Sequence, residues 1–113
     1  MHNSDCIFCK IAAKEIQAKI VAETELSVAF WDISPRQAVH ILVIPKAHFA
    51  NVAELADADP DSLVDLIQLG SKLALEKSTG SFRLSFNTGT EAGQTVFHAH
   101  CHITSTTPKA DIA

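Results

Sequence analysis

Residues 97–103 read Phe-His-Ala-His-Cys-His-Ile, polar and apolar in strict alternation. An extended strand sends successive side chains to opposite faces. His98, His100 and His102 are therefore expected on one face of a strand, with Phe97, Ala99, Cys101 and Ile103 on the other. Residues 82–87, Phe-Arg-Leu-Ser-Phe-Asn, repeat the pattern: Phe82, Leu84 and Phe86 share one face, Arg83, Ser85 and Asn87 the other. "SVAFWDI" (27–33) and "HILVIP" (40–45) are rich in β-branched and aromatic residues, and the turn residues Ser34 and Pro35 stand between them. They read as a hairpin or meander.

One strong helix separates these strands. Asp59 suits an N-cap, and Pro60 suits the first helical position, where its missing N–H costs nothing. Leu63, Leu66, Ile67, Gly70, Leu73 and Ala74 then recur at three- and four-residue spacing as one apolar stripe. Gly80 is the expected end signal. A shorter helix is expected around residues 7–13. Strands, a long helix, then strands again indicate an α+β domain, mostly antiparallel, with the helix on one face. Residues 88–96, with Gly89 and Gly93, form a loop entering the histidine strand, where glycine lets backbone approach a ligand closely.

The bulk properties exclude several function classes. A chain of 113 residues without repeat or linker reads as one domain over 1–113. Its formal net charge of -4, with Lys and Arg scattered singly, gives no electrostatic reason for a nucleic-acid or membrane partner. No apolar run approaches a bilayer span. The opening Met1-His2-Asn3-Ser4-Asp5 lacks the basic and apolar regions of a secretion signal. Three cysteines, two of them only three apart, make a poor disulfide framework and a better metal or thiol pair, which favours a reducing cytoplasm.

Three imidazoles in a row admit two chemistries. A His-x-His pair can chelate zinc and, with a third ligand and an open position, make a hydrolytic site. Alternatively, one imidazole is a nucleophile and its neighbours orient it or handle protons. Cys6-Ile7-Phe8-Cys9 has the C-x-x-C spacing of half a zinc site and needs two more ligands. His48, just after the "HILVIP" strand, and one member of the histidine row are candidates. Two cysteines and two histidines would close the coordination sphere and make the zinc structural.

Several motifs in the same order resemble the histidine triad superfamily: "CIFCKI" (6–11), "AFWDISP" (29–35), "HILVIPKAH" (40–48), "FNTG" (86–89), "GQTVF" (93–97) and the row at 98–103. The resemblance runs from Cys6 to Ile103. The chain is most similar to the nucleotide-binding branch, whose members are small homodimeric purine-nucleotide phosphoramidases, and to small bacterial members with a C-x-x-C zinc site. That implies a mostly antiparallel five-stranded sheet with one long helix and a short N-terminal helix. It also implies a purine nucleotide substrate, a homodimer, a structural zinc and no organic cofactor.

Roles follow from the matched positions. His100 matches the nucleophile, which attacks the α-phosphorus and forms a nucleotidyl-histidine intermediate. His102 matches the triad member that contacts phosphate and nucleophile, and His40 matches a supporting histidine on a neighbouring strand. His98 matches the member that joins Cys6, Cys9 and His48 around zinc. Asp32 matches the carboxylate that accepts hydrogen bonds from ribose hydroxyls. Phe8, Ile11, Ile16, Phe30 and Ile33 map onto an apolar slot for the purine. Phosphate oxygens need donors where negative charge sits, and Gln94, Thr95 and the backbone N–H groups around Gly93 can supply them. Asn87 is a further candidate for ribose or phosphate. Two departures stand out: Gln17 replaces a usual proline, and Thr-Ser-Thr-Thr-Pro follows Ile103 where the branch commonly continues apolar-Gly-Gly. Dinucleoside polyphosphates as substrates, a nucleotide sensor with little turnover, and a catalytic zinc hydrolase using all three histidines are the competing readings.

Overall fold

Five strands are ordered β1-β2-β3-β5-β4, every neighbouring pair antiparallel, in a computed structural model that describes residues 5–109. Residues 1–4, most of the stretch scanned for a secretion signal, and residues 110–113 lie outside the described residues. The strands are β1 (Ile20–Glu23), β2 (Ser27–Trp31), β3 (Val39–Pro45), β4 (Arg83–Ser85) and β5 (Cys101–Ser105). The helices are α1 (Ile7–Ala12), α2 (Val52–Ala58) and α3 (Pro60–Lys77), and a 3-10 turn spans Thr90–Ala92. This is the expected α+β sheet of five antiparallel strands. α2 was not foreseen, although Asn51-x-x-Glu54 carries a capping signature: the Asn51 side chain accepts from the Glu54 N–H at 2.9 Å.

Strand periodicity sorts the side chains into two cores. On one face Ala29, Val39, Ile41, Val43, Cys101 and Ile103 pack against Leu66, Leu69, Leu73 and Ala74 of α3, joined by Leu55 of α2. On the other, Val28, Phe30, Leu42 and Ile44 pack against Phe8 and Ile11 of α1. The central strand β3 is thereby buried along its whole length. α3 begins as read: the Asp59 carboxylate accepts from the Ser62 N–H and hydroxyl, and Pro60 follows. It ends at Lys77, three residues before Gly80, where the Ser78 backbone turns extended and its hydroxyl caps the Ala74 carbonyl.

Two features seat β5. A Cβ on Gly70 would lie 2.6 Å from the Cδ1 of Ile103, so the missing side chain lets α3 settle onto the histidine strand. Second, the Asp65 carboxylate accepts from the hydroxyls of Thr24 (2.6 Å) and Ser27 (2.7 Å), tying α3 to the β1–β2 turn.

The expected strand over 97–103 is shorter than its pattern. Ladder pairing starts only at Cys101, opposite Val43, and the backbone bends at 96–98. Continued in register, Ile44 would face His100 and Pro45 would face Ala99, and Pro45 has no N–H to donate. The Ala99 N–H turns instead to the Phe49 carbonyl at 2.7 Å. Phe97 is exposed rather than part of the apolar face. Likewise, only Arg83–Ser85 of the 82–87 stretch pairs, though Phe82, Leu84 and Phe86 all pack on the α3 core as the alternation requires.

Candidate functional site

The face of the sheet turned away from α3 carries the site. Register puts His102 between Leu42 and Ser85, and Thr104 between His40 and Arg83. His40, Arg83, Ser85, His102 and Thr104 floor a cavity of about 600 Å³ that is also lined by Asp32, Thr95 and His100. The loop with positive-φ glycines at Gly89 and Gly93 closes one side of it.

Hydrogen bonds fix which nitrogen of each imidazole carries the proton. His100 Nδ1 lies 2.8 Å from the His98 carbonyl, which only accepts, so Nδ1 is protonated and Nε2 keeps its lone pair. The Arg36 N–H donates to His40 Nδ1 at 3.1 Å, which leaves the proton of neutral His40 on Nε2. His40 Nε2 then donates to His102 Nδ1 at 3.1 Å, so His102 carries its own proton on Nε2. A lone pair on His100 and an N–H on His102 thus stand side by side, ring centroids 4.9 Å apart. Phe8 packs edge-on against His100 at 5.1 Å and holds the ring.

Electrostatics keeps this pair neutral. Burial pushes His100 below the ordinary histidine range, against the opposing pull of its bond to the His98 carbonyl. His102 is pushed down to about 4, by burial first and then by the charges that His100 and His40 would carry. Asp32, His40 and His102 also bring three metal-type donor atoms within 4.8 Å. The Arg36 N–H holds His40 in the tautomer with no lone pair at Nε2, so this trio is built as a hydrogen-bond relay, with Asp32 Oδ2 3.4 Å from His40 Nε2.

The second cluster stands apart. Cys6, Cys9, His48 and His98 bring one donor atom each within 4.8 Å of one another. His98, fully buried, donates from Nε2 to the Pro45 carbonyl at 2.8 Å, so its lone pair is at Nδ1. That atom lies 3.2 Å from Cys6 Sγ, 3.4 Å from Cys9 Sγ and 3.2 Å from His48 Nδ1. Four ligands at about 2.0–2.3 Å from a tetrahedral zinc stand roughly 3.3–3.8 Å apart, so the donor set fits that ion closely. The C-x-x-C pair is shaped by α1, whose N-cap is Cys6 and whose Cys9 N–H donates to Cys6 Sγ at 3.2 Å. His98 therefore sides with the cysteines, and the row of three divides.

Other expected residues are placed less openly. Phe8, Ile11 and Phe30 are buried in the second core, whereas Ile16 and Ile33 are exposed, Ile33 at 96%. Asp32 lines the cavity while its Oδ1 accepts from the Ser34 N–H at 2.7 Å. Gln94 is buried and fully engaged: its amide oxygen accepts from the Gly89 N–H and its nitrogen donates to the Ala50 and Val96 carbonyls. It positions the loop and has no donor left for a phosphate. Asn87 lines the cavity but donates to the Ala92 carbonyl at 2.7 Å. Thr95 and Gly93 line it openly. Sequence reasoning gave no role to Arg36, Arg83, Ser85 or Thr104, which also line it. The alternation of 82–87 does put Arg83 and Ser85 on the polar face. After β5 the chain pairs back onto the end of α3, with the Thr79 N–H bonded to the Thr107 carbonyl and the Lys109 N–H to that of Lys77.

Comparison with known proteins matches this architecture. The family model for the scavenger mRNA decapping enzyme C-terminal binding region matches residues 5–112. Protein HitA of Neisseria gonorrhoeae is 43% identical over 103 residues, 90% of this chain and 96% of that protein. Adenosine 5'-monophosphoramidase hnt1 of Schizosaccharomyces pombe is 42% identical over 98 residues, 87% of this chain and 71% of that protein. The solved structure of a HIT family hydrolase from Clostridium thermocellum superimposes with a TM-score of 0.84 at 38% identity, covering 98% of this chain and 96% of that one. The chain belongs to the histidine triad (HIT) family.

Proposed function

We propose that the protein is a nucleoside phosphoramidase that cleaves AMP or GMP conjugates at the α-phosphate. The observation that carries this reading is the paired tautomers: an unprotonated Nε2 on His100 beside a protonated Nε2 on His102. His100 Nε2 attacks phosphorus; the N–P bond forms as the bond from phosphorus to the leaving nitrogen breaks. The leaving nitrogen takes a proton relayed from water through the Thr95 hydroxyl, while neutral His102 keeps its N–H as a hydrogen-bond donor to the phosphate. Water then attacks phosphorus, gives up a proton, releases the nucleotide and frees His100. His102 and Thr95 steady the phosphate oxygens, Asp32 receives the ribose hydroxyls, and Ile16 and Ile33 offer apolar surface to the purine; the Ala92, Gly93 and Gln94 N–H groups are bonded to the Gly89 and Thr90 carbonyls and shape the loop. The relative from Schizosaccharomyces pombe, named as a monophosphoramidase, supports the substrate class.

Cys6, Cys9, His48 and His98 would hold a zinc ion that ties α1 to the approach of β5 and supplies rigidity rather than reaction chemistry. Among the described residues no helix is long and apolar enough to cross a membrane, and three cysteines without a disulfide among the described residues fit a reducing cytoplasm. Incubation with adenosine 5'-phosphoramidate, rapid quench and peptide mass spectrometry tests the mechanism. Adenylyl mass on the peptide bearing His100 is the expected result; a substrate turned over with no such adduct at any quench time would contradict it.

The acid limb of activity is set by the same site. Protonating His100 removes its lone pair, so activity is lost below its pKa, and a depressed pKa moves that loss to lower pH. With His102 near 4 and His100 below the usual range, kcat/KM should stay flat through the ordinary histidine value of about 6.5 and fall only at lower pH. A profile that bends at about pH 6.5–7 would refute the assignment.

β4 lies at the sheet's edge, and an open edge is normally covered. We propose that two copies pair through it as a homodimer, in keeping with the family resemblance. Light scattering at micromolar concentration should give twice the 12.2 kDa chain mass; a monomer mass would refute pairing.

A further inference from the structure

Both arginines of the chain, Arg36 and Arg83, line the cavity that holds His100 and His102, and none of its lysines does. They arrive from different directions. Arg36 belongs to the β2–β3 connection, and Arg83 to the edge strand β4. Register sets Arg83 opposite Thr104 and Thr104 opposite His40, so Arg83 stands two strand spacings, about 9–10 Å, from His40. Arg36 is near enough for its charge to act on His102.

Neither guanidinium has a carboxylate partner among the described residues. The cavity's one carboxylate, Asp32, is held by the Ser34 N–H and faces His40. Two unpaired guanidinium groups in one cavity repel each other, and in a chain of net charge -4 there is no general excess of cations to explain them. Their planar forks match carboxylate and phosphate oxygens. With ribose at Asp32 and phosphorus at His100, the remaining stretch of the cavity, bounded by Arg36, Arg83, Ser85 and Thr104, falls to the leaving group.

We propose that Arg36 and Arg83, with the hydroxyls of Ser85 and Thr104, form an anion subsite that selects nucleotide conjugates whose leaving group carries a negative charge. This rests on reading the cavity as a nucleotidyl-transfer site. Arg83 is the specificity residue of the pair, because its main chain takes no part in holding His40.

Two substrates that differ by one charge test it: AMP joined through nitrogen to glycinate, and the same conjugate of glycinamide. Wild-type kcat/KM should favour the glycinate conjugate by at least about tenfold, the scale of one charge-assisted hydrogen bond. Arg83→Gln should bring the ratio close to one while leaving the glycinamide conjugate within about twofold. Arg83→Lys, which keeps charge without the fork, should restore part of it. The same ligands titrated onto His100→Ala report the subsite without turnover, and Arg83→Gln in that background should remove the preference. ADP as a third ligand tells phosphate from carboxylate: whichever binds tighter over the neutral conjugate identifies the anion. A wild-type ratio at or below one, or a ratio that survives both Arg83→Gln and Arg36→Gln, overturns the subsite. Absent turnover with the binding preference intact would sink the phosphoramidase reading and leave the subsite standing.

Discussion

His100→Ala is expected to lower turnover of adenosine 5'-phosphoramidate by at least about 10⁴-fold, because it removes the group that forms the covalent intermediate rather than one that assists it. Binding should survive. Asp32 and Ile33 lie on the β2–β3 connection and Ile16 between α1 and β1, none of them on the histidine strand, so the affinity for AMP should change by only about threefold. Truncation does have a structural cost, since the imidazole is buried, bonds the His98 carbonyl and packs on Phe8. About 1–3 kcal/mol is expected from the lost packing and the unpaired carbonyl. Circular dichroism and calorimetric titration with AMP separate that loss from the chemical one. Near-wild-type turnover in a folded His100→Ala protein would end the nucleophile assignment.

The second large effect concerns stability. Cys9→Ser, or dialysis of the wild type against a strong chelator, is expected to lower the melting temperature by about 10 °C or more. A stable tetrahedral site contributes its binding energy to folding, and each kcal/mol lost shifts a domain of this size by roughly 4–8 °C. Without an ion, the four groups are left with thiol and imidazole hydrogen bonds, the His48 and His98 Nδ1 atoms 3.2 Å apart, in place of metal coordination. His98 and Cys9 are buried, so solvent does not replace the lost coordination. Adding zinc back should restore the wild type and not Cys9→Ser. Elemental analysis provides the independent check. Protein without bound zinc that melts at the same temperature before and after chelation would refute the site.

Local pattern carried far in this chain. The apolar stripe of α3, its Asp59-Pro60 start, the hairpin-forming runs at 27–33 and 40–45 and the polar face of Arg83, Ser85 and Asn87 were all legible, because period and capping depend on near neighbours. Where readings failed, a distant partner decided. The histidine strand began four residues late because Pro45, on another strand, cannot complete the ladder. Gln94 looked like a free donor beside a glycine loop, but the Ala50 carbonyl, 44 residues away, takes one of its protons. α2 was missed although Asn51 and Glu54 announce it, since its short helix buries little besides Leu55.

The sequence by itself determined the alternating faces, the cysteine pair and the order of motifs that identifies the family, because each of these is set by residue type and spacing along one chain. Only the tertiary structure supplied the contacts that go with the division of the three histidines implied by the family resemblance. Cys6 and Cys9 from α1 and His48 from beyond β3 converge on His98, while His40 and the Arg36 main chain set the tautomers that separate His100 from His102. The same is true of the arginines. Singly scattered in sequence, they meet in one cavity because β4 pairs with β5 and the β2–β3 connection folds back to His40, and proximity of that kind is a property of packing that no local pattern encodes.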